Sequence, residues 1–435
     1  MANRRRRRRR GSRRRRGFAS WPIARKITTI LAVVLIGVIT SGVIYAANKY
    51  SKIETTKINA DELSISDEIE ASGLDGTGYM NIALFGVDTR ADGSVDGTRS
   101  DTIIVASLNR ETKEVKLASV YRDTLLEQSD GSYNKANSAY STGIINEGAE
   151  GGPKEAMALL NRNLDMDIDH YVTVDFSALV DLIDALGGIE IDVQEEEVFY
   201  VNGYSEEIQK NTGIYSPDIG GPGPQLLNGT QATAYCRIRY TTGDDFRRTE
   251  RQRDVITKVV EKLQTAKLSS LNKIIDSVFP KVSTNFTLPE ILAYAKDIKS
   301  YQLGETTGFP DNKNFATLTG VGSSVIPVTL QSNVVTLHQF LFGDDGYTPS
   351  STVTAISSTI ENKVAGLSDS STNESNYDSS ESSSDYDSDY DSSSSYDSSN
   401  STSDYDSSNS SSNDDSDYDS NNNSNSGSDY DEDEY

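Results

Sequence analysis

The chain has 435 residues, 66 Asp plus Glu against 41 Lys plus Arg, a formal net charge of -25 and only 35% hydrophobic residues. One cysteine, Cys236, excludes a disulfide within the chain, and two histidines, His170 and His338, argue against a histidine-ligated zinc site. The charge is polarised along the chain: Met1 to Lys26 hold thirteen basic side chains and no acid, whereas Ala365 to Tyr435 hold twenty acids and no base.

In chain order, the arginine blocks Arg4 to Arg10 and Arg13 to Arg16 precede Ile27 to Ala47, an uncharged and mostly apolar run. As a helix rising about 1.5 Å per residue it spans the ~30 Å hydrocarbon core of a bilayer. A cleaved signal peptide would carry only ~7 to 15 apolar residues with small residues before the cut, where Tyr45 fits poorly. The expectation is one transmembrane helix, with 1–26 cytoplasmic and everything after Ala47 extracellular at the cell membrane. The arginines have no interleaved aromatic residues, so anionic lipid is a better partner for them than nucleic acid.

Residues 48–78 read as an external linker and 79–348 as one folded domain. Within it Asn81 to Val87, Thr102 to Leu108 and Glu114 to Tyr121 are β-branched-rich runs, the last two joined as a hairpin by Asn109-Arg110-Glu111-Thr112. His170 to Phe176 and Ile189 to Val193 are further strands. Between them Ser177 to Leu186 has helical spacing, with Gly187-Gly188 as its C-cap. Arg247 to Leu268, Leu271 to Phe279, Leu288 to Ile298 and Asn333 to Phe342 also read as helices. A strand, helix, strand order requires a crossover, so the expected fold is a layered α/β/α domain with a central mixed sheet. Beyond about Gly366 the composition is Ser, Asp, Asn and Tyr with recurring Asp-Tyr-Asp, and 349–435 is expected to be a disordered tail.

Chemistry concentrates in two places. Gly86-Val87-Asp88-Thr89-Arg90 follows one strand and Arg99-Ser100-Asp101 opens the next, so Asp88 and Asp101 can converge on one hard cation such as magnesium. Tyr121-Arg122-Asp123 closes the third strand beside them. Taken singly, each aspartate also fits a turn or cap. The second place holds six arginines in the seventeen residues from Arg237 to Arg253. In an extended chain Arg237 and Arg239 would present two guanidinium forks on one side, and Arg248 and Gln252 share a face of the helix that follows. Such forks suit phosphate, although pairing with Asp244, Asp245 and Glu250 is the plainer alternative. Two histidines so placed supply no Ser-His-Asp or Cys-His set, which disfavours a covalent nucleophile.

Gly86-Val87-Asp88, Arg99-Ser100-Asp101, Arg122-Asp123, His170-Tyr171-Val172, Asp184-Ala185-Leu186-Gly187-Gly188, Leu227-Asn228-Gly229, Arg237-Ile238-Arg239 and Arg251-Gln252 occur in the order of the LytR-CpsA-Psr family. The chain resembles that family over roughly Tyr79 to Leu268. The resemblance implies a magnesium-dependent transferase that moves a glycopolymer from a polyprenyl pyrophosphate carrier to peptidoglycan. It implies Asp88 and Asp101 as metal ligands and Arg99 and Arg122 at the reacting centre, with Asp245, Asp244 or Asp123 taking a proton. Arg90, Arg122, Arg237, Arg239, Arg248 and Gln252 would grip the pyrophosphate. Tyr121 departs from the family, which usually has proline there. A lipid pyrophosphatase and an anchored binding or regulatory protein are the rival readings.

Overall fold

The computed structural model describes residues 44–66, 69, 78–87, 98–239, 241 and 244–365, without the side chains of Ala60, Asn211, Asp244, Asp245 and Leu268. Most of the expected span 27–47, and the sequence beyond 365, lie outside these residues. No helix among the described residues is long and apolar enough to cross a membrane.

The strands in chain order are β1 (Glu54–Thr55), β2 (Tyr79–Val87), β3 (Ser100–Asn109), β4 (Glu114–Val120), β5 (Leu125–Glu127), β6 (Tyr133–Lys135), β7 (Ile168–Asp175), β8 (Ile189–Val193), β9 (Gly223–Leu227), β10 (Val282–Thr284), β11 (Gln302–Phe309), β12 (Lys313–Leu318) and β13 (Gly322–Pro327). The helices are α1 (Ser138–Glu147), α2 (Gly151–Leu164), α3 (Phe176–Ala185), α4 (Glu195–Thr212), α5 (Gly229–Arg237), α6 (Asp244–Thr265), α7 (Leu268–Ser277), α8 (Leu288–Lys296), α9 (Leu330–Phe342) and α10 (Ser351–Val364). Seven strands form the central sheet in the order β1-β10-β7-β2-β3-β4-β11. It is mixed: β2 pairs antiparallel with β3 and parallel with β7, and β4 pairs parallel with β11.

Alternate residues of a strand face opposite ways, and here both faces are apolar. Ala83, Phe85 and Val87 of β2, with Val105 of β3 and Val120 of β4, join the main core against Met157 and Leu160 of α2. Ile82 and Leu84, with Ile104 and Leu117, turn the other way toward Ile256 of α6. A second core lies between α3, α4, α5 and the antiparallel pair β8–β9. The central mixed sheet is thus as the sequence predicts.

Two boundaries and the place of one strand differ. Part of the expected linker belongs to the domain: β1 pairs with β10, and Ile53 and Leu63 are buried. The tail begins later than 349, because α10 buries Val353, Ile356 and Ile360 in the main core. Ile189 to Val193 is a strand, but it pairs with Gly223–Leu227 outside the central sheet.

Tyr121 has a structural counterpart. Its ring lies edge-on to Phe246, 4.6 Å between centroids, and a Cβ placed on Gly308 of β11 would sit 2.1 Å from the Tyr121 hydroxyl. The Tyr121 side chain therefore occupies the space that a side chain at 308 would take. Gly308→Ala should cost about 1 to 3 kcal/mol through overpacking. In a Tyr121→Ala background the same change should cost much less, measured by urea denaturation. Equal losses in both backgrounds would show the two positions to be uncoupled.

Candidate active site

The site forms where β2, β3 and β4 end together. Val87 pairs with Ser100 and Gly86 with Thr102, so Asp101 is the extra residue of a β-bulge. A bulge re-aims the side chain it carries. Asp101 meets three arginines. Arg122 Nη1 donates to its Oδ1 at 2.7 Å, Arg239 Nη2 lies 3.7 Å from Oδ2, and Arg248 Nη2 donates to the Asp101 backbone oxygen at 3.3 Å. Burial pushes the Asp101 carboxyl upward, but Arg122, Arg248 and Arg239 together outweigh it and hold it far below the usual carboxylate range. Asp101 is therefore ionised at every physiological pH and is no proton acceptor there.

Behind it, Arg122 is 5% exposed and its Nε lies 3.4 Å from Asp123 Oδ2. Asp123 is 4% exposed, and its other oxygen is 3.3 Å from Lys135 Nζ. The β5–β6 hairpin brings Lys135 back to this point, and Asn137 N donates to the Arg122 carbonyl at 3.0 Å. Lys135 was not among the residues singled out from sequence. The Asp130-Gly131 dipeptide, with Gly131 at φ 77°, was the available signal of a hairpin returning to Asp123. Among the described residues four cations thus surround two carboxylates, an excess of positive charge suited to an anion.

The other expected residues are distributed as follows. Arg237 does not share a strand face with Arg239, because it ends α5, a helix opened by the Asn228/Gln231 capping box. It pairs with Glu207 at 3.0 Å and lies over the rings of Phe176 and Tyr204. Gln252 is 8% exposed and donates to the Cys236 carbonyl at 3.5 Å. Arg99 is exposed beside Ser100. Asp88 and Arg90 lie outside the described residues, as does the Asp245 side chain. Cys236 is buried, and burial pushes its thiol up to about 12, which fits an inert core residue.

A cavity of about 450 Å³ runs along the sheet face covered by α6 and α8. Ile82 and Leu84, Leu108, Leu117, Ile256, Phe286, Ile291 and Tyr294 are among its walls, which are almost wholly apolar. It shares α6 with the arginine cluster: Arg248 reaches Asp101 near the start of that helix, and Gln264 lines the cavity near its end. Sixteen residues at about 1.5 Å each separate those points by roughly 24 Å.

Comparison with known proteins bears on this arrangement. The chain is 34% identical over 244 residues to Biofilm regulatory protein A of Streptococcus mutans, covering 52% of this chain and 57% of that protein. It is 33% identical over 224 residues to the polyisoprenyl-teichoic acid–peptidoglycan teichoic acid transferase TagU of Enterococcus faecalis, covering 51% and 66% respectively. The matched region is thus less than two thirds of either relative. The crystal structure of protein gbs0355 from Streptococcus agalactiae superposes with a TM-score of 0.50 at 28% identity, covering 66% of this chain and 95% of that one. The model of the LytR_cpsA_psr family matches residues 40–317, more than half the chain and nearly all of the strands and arginines described above, and the chain belongs to that family.

Proposed function

We propose that this protein is a membrane-anchored, extracellular transferase that moves a glycopolymer from a polyprenyl pyrophosphate carrier to peptidoglycan. The observation that carries the reading is the placing of a cationic cluster and an apolar cavity along one helix, α6. A polyprenyl pyrophosphate has the matching form, a compact anionic head on a long hydrocarbon chain. The run 27–47 would anchor the chain, with the arginines before it inside.

The donor chemistry at Asp101 fits magnesium. Its carboxylate is ionised and partly exposed, one oxygen is taken by Arg122, and among the described residues the other has only Arg239 at 3.7 Å. Asp101 and Asp88 would hold the ion, which when bound neutralises pyrophosphate oxygens. Arg122, Arg239 and Arg248 would bind the phosphates and stabilise charge on the departing polyprenyl phosphate. Asp123, shared by Arg122 and Lys135, orients the Arg122 guanidinium. An acceptor hydroxyl attacks the sugar-linked phosphorus as the bond to the lipid phosphate breaks. Its proton passes to Asp244 or Asp245 at the start of α6.

The reading is tested with lipid-linked polymer, peptidoglycan oligosaccharide and magnesium, by mass analysis of the products. Polymer attached to the oligosaccharide supports it. Polymer phosphate released to water would instead favour a pyrophosphatase, and an unchanged donor a binding protein. Filling the cavity gives a second check. Ala106 of β3 also lines the cavity, and Ala106→Trp should raise the KM for a long-chain donor about tenfold, the scale of 1.4 kcal/mol, while a short-chain donor is affected less. Equal effects on both donors would show that the chain lies elsewhere.

A further inference from the structure

Residues 44–56 are fastened to the domain along their length. Residues 44–50 are helical, and Tyr45 donates to Asn272 of α7. Lys49 and Lys52 both reach Asp276 at 2.6 Å. Tyr50 donates to the Phe286 carbonyl at 2.9 Å. Glu54 and Thr55 then pair with Ser283 and Thr284, and the Thr56 hydroxyl accepts from Tyr171 at 3.0 Å. The apolar run that ends at Ala47 therefore leads into a fixed strap, and the point where it leaves the domain is set by α7.

That strap lies at one end of the cavity. Phe286, whose carbonyl Tyr50 holds, packs with Met80 and Leu108 at the end of the sheet opposite the Asp101 bulge. Next to it α8 has no buried residue: Ile291 and Tyr294 line the cavity, and Leu292 on its outer side is 51% exposed. Exposed Lys273 and Lys296 stand on α7 and α8. The nearby carboxylates are largely engaged, Asp276 with Lys49 and Lys52, Asp297 with Lys113 at 3.1 Å, and Glu290 in the cap of α8.

We propose that the α7–α8 edge rests on an anionic bilayer surface, held there by the 44–56 strap. The remote end of the cavity then faces lipid, and the arginine end faces away from it. Three observations argue for this occupant: the chain outside the described residues reaches the domain here through an uncharged apolar run, the edge carries exposed lysines in a chain of net charge -25, and an exposed leucine stands among them. A bound donor would then have its hydrocarbon end nearest the membrane it came from. The inference rests on the anchored reading of 27–47, but its test needs no polymer transfer.

The full chain is reconstituted into nanodiscs of phosphatidylcholine and phosphatidylglycerol containing a headgroup-attached quencher. A fluorophore is placed on Leu292→Cys of α8 or on Ser358→Cys of α10, Cys236 being buried. Quenching at position 292 should exceed that at 358 several-fold, and Asp276→Ala, which unties Lys49 and Lys52, should narrow the difference without changing the circular dichroism spectrum. Equal quenching at both positions in chains that stay with the discs at high salt overturns the proposal. Chains that leave the discs at high salt overturn the anchored reading, and the proposal with it.

Discussion

Arg239→Ala should lower polymer transfer by about a hundred- to a thousandfold, the 2.7 to 4 kcal/mol typical of removing one preorganised charge stabiliser, with an unchanged melting temperature. Arg239 is suited to this test because it is partly exposed and its one described carboxylate contact, to Asp101, is long at 3.7 Å. Arg239→Lys should recover only part of the rate, since it keeps the charge and loses the planar fork. Arg122→Ala should behave differently. That guanidinium is 5% exposed and compensates both Asp101 and Asp123, so its loss should reduce stability as well as rate. Arg237→Ala should cost less than tenfold, about 1.4 kcal/mol, because Arg237 is occupied by Glu207. The measurements are initial rates of transfer and thermal melts. Equal losses for Arg237→Ala and Arg239→Ala would mean that both forks act together on the phosphates. Asp101 adds a pH corollary. With its carboxyl held well below the unfolded value near 3.9, its contribution to stability is fully present above about pH 4 and is lost as pH falls below it.

The parts of this molecule legible in the sequence are those whose signal is local. β2, β3, β4 and β7 announce themselves as β-branched runs, and α3 by its spacing and the two glycines after it. The bulge at Asp101 depends on the register of two strands, which no local pattern records. Arg237 reads as extended only when the Asn228/Gln231 capping box, nine residues earlier, is overlooked. α10 reads as part of the tail because its sequence is rich in serine and threonine. Val353, Ile356 and Ile360, spaced three and four apart, were the helical stripe within it. Arg251 shows the deepest limit. Its sequence neighbours suggest a phosphate clamp, whereas its partner is Glu197, the last of three consecutive glutamates in the first turn of α4.

That partnership carries the largest expected loss of stability. Arg251 and Glu197 are each 1% exposed, with Nε to Oε1 at 2.7 Å, and Arg251 also donates to the Ile238 carbonyl at 3.1 Å and to the Thr241 hydroxyl at 2.5 Å. Arg251→Met leaves a buried carboxylate without its cation and should cost about 3 to 5 kcal/mol in urea denaturation. Adding Glu197→Leu should restore much of this, because the pair removed together leaves no bare charge. Restoration should stop short by about 1 kcal/mol, since Glu197 Oε2 also accepts from Gln194 N at the start of α4. Activity should not follow stability. Ile238 immediately precedes Arg239, so the donor Arg251 gives to its carbonyl fixes the backbone from which Arg239 reaches Asp101. The double variant should therefore melt near the parent and transfer polymer far more slowly. Recovery of both properties together would show that Arg251 serves the fold alone. A double variant as unstable as Arg251→Met would show instead that the loss comes from the hydrogen bonds to Ile238 and Thr241 rather than from an uncompensated Glu197.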